Sequence, residues 1–191
     1  MLHRNATLAA LGMTVFATLV VAQAPVTPAE MGPKIGDVAP DFTLGGATKD
    51  GVLGKPVTLA QFKGQTVVVA FFPKARTSGC TAQMTTYRDK WSELFNGGEG
   101  VQVIAISTDA DTTQANWAKE ANLPMIFASD AGGGVGAKYG AYLADRKVNN
   151  RLLFVVGPDG KITFTAKPFK AMVADAYPEL GAAVKKTVAA K

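Results

Sequence analysis

The chain has 191 residues, 48% of them hydrophobic, with 20 basic and 15 acidic side chains and a formal charge of +5. That length holds one full core and is too short for two ordinary domains. A single cysteine excludes an internal disulfide, a cysteine-rich metal site and a Cys-x-x-Cys redox pair, and the scattered lysines, with no basic run interleaved with aromatics, are no nucleic-acid footprint.

At the N-terminus, His3 and Arg4 precede an uncharged apolar stretch from Ala6 to Ala22. This is the pattern of a secretory signal peptide over residues 1–22, with cleavage after Ala22 or, as a second choice, after Ala24. The competing reading is an uncleaved anchor, because the stretch is near the lower limit for spanning a bilayer. It would give the protein a transient membrane association. Residues 23–33 read as a proline-containing linker, which leaves residues 34–191 as the folded domain. Export across the inner membrane predicts a periplasmic protein. Removing the signal takes away the only histidine, His3, and leaves 19 of the 20 basic residues against 15 acidic ones. Ser-His-Asp and Cys-His catalysis are then excluded, and a zinc or haem site of the usual composition is not expected. No cofactor and no metal are expected.

Within the domain, Thr66 to Phe72 is a continuous apolar run that predicts a strand buried on both faces. Pro73 ends it, and Thr77-Ser78-Gly79 are turn and N-cap residue types. Met84, Tyr87, Trp91 and Leu94 then recur at helical spacing until Asn96-Gly97-Gly98. Cys80 is thus placed in the first turn of a helix that follows a central strand. There the unpaired N–H groups and the helix dipole favour a thiolate over a thiol. The bland alternative is a cysteine that only packs. Pro73 alone is equally a strand terminator, and Thr77 alone equally an N-cap.

Val101 to Ser107 predicts a strand. Asp111 to Ala121 predicts a helix, with Asp111 as its cap and Gln114 closing a capping box. Met125 to Phe127 reads as a short strand and Val135 to Tyr142 as a short helix. Gly132-Gly133-Gly134-Val135-Gly136 partly fits a dinucleotide fingerprint but lacks its βαβ context, and reads better as a loop after Asp130. The Asp159-Gly160 turn between Leu152–Val156 and Ile162–Phe164 predicts a hairpin. Pro178 opens a last helix that buries Leu180, Val184 and Val188.

Pro73, Thr77 and Cys80 form the pattern Pro-x-x-x-Thr-x-x-Cys, which resembles the peroxidatic motif of the peroxiredoxins. The flanking Phe71-Phe72-Pro73-Lys74-Ala75 and Gly79-Cys80-Thr81 look most like the bacterioferritin-comigratory, or Q-type, branch. Residues 35–44, 57–64 and 151–162 resemble three further family segments in the right order, so the resemblance spans about residues 34–165. It implies a thioredoxin-like α/β sandwich, a central mixed sheet flanked by helices, with an N-terminal extension. It also implies catalytic roles for Cys80, Thr77, Arg151 and Pro73, and a substrate-binding role for Gly79 and Gln83.

The chemistry of those residue types agrees. A Cys80 thiolate attacks one peroxide oxygen and becomes a sulfenic acid. Arg151 is a fixed cation and donor, although alone it would read as a surface ion-pairing residue. The Thr77 hydroxyl can donate and accept, Pro73 walls off solvent, and the Gly79 and Cys80 N–H groups face the oxygen that gains charge. Two departures stand out. Q-type members often carry a resolving cysteine five residues on, where this chain has Thr85, and the family often has Glu where this chain has Gln83. The first predicts a one-cysteine mechanism, with an external thiol or thioredoxin-like reductant acting through a mixed disulfide. The expected function is reduction of hydrogen peroxide or an alkyl hydroperoxide by a monomer or homodimer that binds no nucleic acid. The alternative is a weakly active or inactive module that binds a partner or senses oxidants through Cys80.

Overall fold

The computed structural model describes residues 32–190 together with Met1. Residues 1–22, expected from the sequence to be a signal peptide, lie outside these residues apart from Met1, as does nearly all of the expected linker. Ten strands are described: β1 Thr43–Thr48, β2 Gly51–Val52, β3 Val57–Thr58, β4 Thr66–Phe71, β5 Val101–Ser107, β6 Ile126–Ser129, β7 Tyr142–Leu143, β8 Val148–Asn149, β9 Leu153–Val156 and β10 Ile162–Ala166. Five α-helices accompany them: α1 Ser78–Asp89, α2 Trp91–Phe95, α3 Asp111–Glu120, α4 Gly134–Lys138 and α5 Ala176–Ala189. Short 3-10 turns at Ala60–Phe62 and Asn96–Gly98 complete the elements.

The main sheet runs β10-β9-β4-β5-β6-β1-β2, with β3 also paired to β1, while β7 and β8 form a separate hairpin. β4, β5 and β6 are parallel neighbours, and β9 lies antiparallel to β4 on its other side. This is the expected central mixed sheet flanked by helices.

The apolar run of β4 explains its central place. All six of its residues are buried. Val68, Ala70 and the following Phe72 face a core closed by Met84 and Tyr87 of α1, Leu94 of α2, Trp117 of α3 and Leu180 of α5. Val67, Val69 and Phe71 face a second core with Phe42, Leu59, Tyr139, Phe154 and Ile162. A strand with apolar side chains on both faces can only sit between two such layers.

Several boundaries differ from the sequence expectation. The helix expected to run from the cysteine to Leu94 breaks at Lys90, whose backbone (φ −108°, ψ 26°) leaves the helical region. The apolar spacing continues into α2, so periodicity could not register the break. Asp111 is the first residue of α3 rather than its cap, which is Ala110. Gln114 makes no capping box either. It is buried, and its Nε2 donates to Ser107 Oγ at 3.1 Å and to the Asp109 carbonyl at 2.9 Å. β6 starts at Ile126 rather than Met125, and α4 stops at Lys138, with Tyr142 already in β7. The glycine run after Asp130 is not a plain loop. Gly133 takes a left-handed backbone (φ 69°) just before α4, and the Asp130 carboxylate accepts from the Val135 and Gly136 amides at 3.2 and 2.7 Å. Pro178 is the third residue of α5, which buries Leu180 and Val184 and half-buries Val188. The hairpin of β9 and β10 is antiparallel, as its Asp-Gly turn predicts.

Candidate active site

Cys80 is the third residue of α1, just beyond the C-terminal end of β4. It is 1% exposed and packs in the core with Phe72, Ala75 and Met84. Its sulfur therefore lies at the unpaired N–H end of a twelve-residue helix.

Arg151 reaches the same point from the opposite strand. β9 runs antiparallel to β4 with Ala70 opposite Leu153, and the Phe71 amide donates to the Leu152 carbonyl at 2.8 Å. That register sets the residue before Leu152 beside the end of β4. Arg151 Nη2 donates to Cys80 Sγ at 3.5 Å, and Nη1 donates to Oε1 of Gln83. The fork thus ties the sulfur to a side chain one helical turn further on. A Cβ placed on Gly79 would sit 3.4 Å from Arg151 Nη2, so the guanidinium lies close over the glycine backbone.

Thr77 holds the N-cap position of α1, but its hydroxyl does not cap the helix. It donates instead to the Lys74 carbonyl at 2.9 Å, closing the turn between β4 and α1. Its lone pairs remain to accept from a substrate, whereas its one proton is already given to the Lys74 carbonyl and is not donated to the sulfur. Pro73 is half-buried at the start of that turn. Arg76 points away into a surface ion pair with Glu120 at 2.6 Å. The structure thus brings Arg151, Gln83 and Gly79 to Cys80, with Thr77 and Pro73 on the connecting turn.

Sequence reasoning missed three supports. The Asp109 carboxylate accepts from the Ala75 amide at 2.8 Å and from Ser107 Oγ at 2.9 Å, so the end of β5 clamps the turn that carries Pro73 and Thr77. The Phe169 amide donates to the Arg151 carbonyl at 2.8 Å and fixes the arginine backbone. Tyr87 Oη accepts from Gln83 Nε2 at 2.9 Å beneath the site. Burial raises the Tyr87 hydroxyl pKa well above its ordinary value, so the phenol stays neutral. Tyr87 was visible in the sequence only as one member of an apolar stripe. The partners of Asp109 and Phe169 lie 34 and 18 positions away, beyond the reach of any local pattern.

The Asp109 clamp is testable. Asp109→Ala leaves the Ala75 amide without its acceptor and should cost about 1–3 kcal/mol of stability in urea unfolding. Asp109→Asn keeps an acceptor oxygen and should cost less.

The AhpC/TSA family model matches residues 35–165 of the chain. Peroxiredoxin Bcp of Escherichia coli (strain K12) is 35% identical over 143 residues, covering 72% of this chain and 87% of that protein. The chloroplastic peroxiredoxin Q of Sedum lineare is 38% identical over 105 residues, covering 55% of this chain and 53% of that protein. Among solved structures, peroxidoxin BcpB from Mycobacterium tuberculosis superimposes with a TM-score of 0.68 at 27% identity, covering 80% of this chain and 97% of that one. Enterococcus faecalis AhpC shares the fold with a TM-score of 0.70 at 17% identity, over 81% and 92% of the two chains. A matched motif, a matched order of segments and a shared fold converge on one assignment: the chain belongs to the AhpC/TSA family.

Proposed function

We infer that the protein is a thiol-dependent peroxidase that reduces hydrogen peroxide or an alkyl hydroperoxide at Cys80. The observation that carries this reading is the Arg151 guanidinium on Cys80 Sγ at the start of α1. It places a cation and a donor fork where a peroxide must approach the sulfur. Cys80 thiolate attacks one peroxide oxygen, an S–O bond forms and the O–O bond breaks. The departing oxygen takes a proton and leaves as water or an alcohol, and the sulfur is left as a sulfenic acid. Arg151 and the N–H groups of the first turn of α1 stabilise the charge that builds on that oxygen. Thr77 accepts a hydrogen bond from the incoming peroxide, and Pro73 limits access of water to the sulfur.

The sulfenic acid has no cysteine in the chain to condense with. Thr85, where the Q-type branch often carries its resolving cysteine, donates its hydroxyl to the Thr81 carbonyl at 2.8 Å. Regeneration therefore uses an external thiol. One thiol displaces water to give a mixed disulfide, and a second releases the reduced enzyme with a disulfide product. The apolar stretch from Ala6 to Ala22 supports export and action in the periplasm.

Sustained turnover tests this function. With hydrogen peroxide and an excess of a small thiol, peroxide consumption should continue for many equivalents of protein. The mixed disulfide should be trapped on Cys80 and visible by mass. Consumption that stops after one equivalent would identify an oxidant sensor instead.

A further inference from the structure

Gln83 differs from a carboxylate in one respect that matters at this site. A carboxylate presents an acceptor oxygen whichever way it turns, whereas an amide has one accepting and one donating end. Arg151 is donor-only, so only Oε1 of Gln83 can face it, as it does. Nε2 then points away from the arginine, and Gln83 is only 1% exposed. A buried NH₂ needs an acceptor within the protein.

We propose that the Tyr87 hydroxyl is a positioning group for Arg151, acting through Gln83. Tyr87 lies one helical turn beyond Gln83, and its Oη accepts from Nε2 at 2.9 Å. The phenol cannot drift from that place. It is fully buried and packed against Phe95, Tyr177 and Phe169, with ring centroids 5.1, 6.1 and 6.2 Å away. Phe169 also holds the Arg151 backbone, so one aromatic box fixes both ends of the arginine. Without the Tyr87 oxygen, Nε2 is stranded and the amide gains nothing from its present orientation. Turned over, it would set its NH₂ against the guanidinium, donor to donor. Arg151 would lose the partner of Nη1, and with it the geometry that brings Nη2 to Cys80. Tyr87 touches neither sulfur nor peroxide. It acts through Gln83, and its role rests on the reading of Cys80 as the peroxide-reducing thiol.

The test is Tyr87→Phe measured in three backgrounds, by the second-order rate of Cys80 oxidation with hydrogen peroxide. In the parent the change should slow oxidation about tenfold, the loss of roughly one buried hydrogen bond. In Gln83→Glu, whatever its own rate, the same change should cost less than about twofold, because a carboxylate needs no orienting partner. In Arg151→Met it should also cost less than about twofold, since nothing is left to position. Equal slowing in all three backgrounds would show a purely structural tyrosine and overturn the proposal. A fast parent that Tyr87→Phe leaves unchanged would overturn it as well. A parent no faster than a free thiol would remove the peroxidase reading, and this proposal with it.

Discussion

Cys80→Ser is expected to abolish peroxide consumption, dropping it to the uncatalysed background with a loss of about 10⁴-fold or more. Serine is close to isosteric, and its hydroxyl is far too basic to ionise at neutral pH. The substitution removes the nucleophile and little else. The chain holds no second thiol that could substitute. Because Cys80 is buried against Phe72 and Met84, a serine hydroxyl there should lower stability modestly while keeping the fold, and the urea midpoint serves as the control. The same variant separates chemistry from packing. An inert packing cysteine replaced by serine would disturb stability modestly and leave any peroxide reaction intact. The check is peroxide consumption in the presence of a thiol, for parent and variant side by side.

Arg151→Met should slow oxidation of Cys80 by about 10²–10³-fold, the usual loss when a donor aimed at developing charge is removed. The side chain does two things at once. Nη2 contacts the sulfur and Nη1 is held by Gln83. Arg151→Lys keeps the charge but replaces the rigid planar fork with one flexible ammonium, which cannot hold both partners in the same geometry. It should recover part of the lost rate and remain well below the parent. Stopped-flow oxidation of the three proteins checks the order parent, lysine variant, methionine variant. Equal rates for all three would mean that the arginine only fills space beside the helix.

The parts legible in the sequence are those set by strong local patterns. β4 declares itself through an unbroken β-branched and aromatic run, and its end is fixed by Pro73. β5 matches its expected span from Val101 to Ser107. The placement of Cys80 follows from those two signals plus the helical spacing beyond it. β1 was invisible for the opposite reason. Thr43–Thr48 carries two glycines at its centre and is a strand only because β6 and β3 pair with it. The break at Lys90 has no glycine or proline to announce it, and the apolar stripe runs straight through. Gln114 fits a capping box by spacing, but the buried polar groups at the end of β5 offer its amide better partners.

The same contrast holds within the site. The motif residues Pro73, Thr77, Cys80 and Arg151 carry a recognisable spacing and order. Asp109 and Phe169, which support them, do not, because they act through contacts that exist only once the sheet register is set. Thr77 shows the limit of residue-type reasoning. Its hydroxyl sits where an N-cap should be and bonds elsewhere, to the Lys74 carbonyl.

Stopped-flow mixing of the reduced protein, made without residues 1–22, with hydrogen peroxide, followed by tryptophan fluorescence, reads whether the surroundings of Cys80 make it a fast peroxide-reducing thiol. Trp117 is suited to report it, since its ring lies 5.8 Å from that of Phe72, which packs in the same core as Cys80. The expected result is a second-order rate orders of magnitude above that of a free thiol at the same pH, with the oxygen recovered as one sulfenic acid per chain. A rate no greater than that of a free thiol, for hydrogen peroxide and for a bulkier organic hydroperoxide alike, would contradict it.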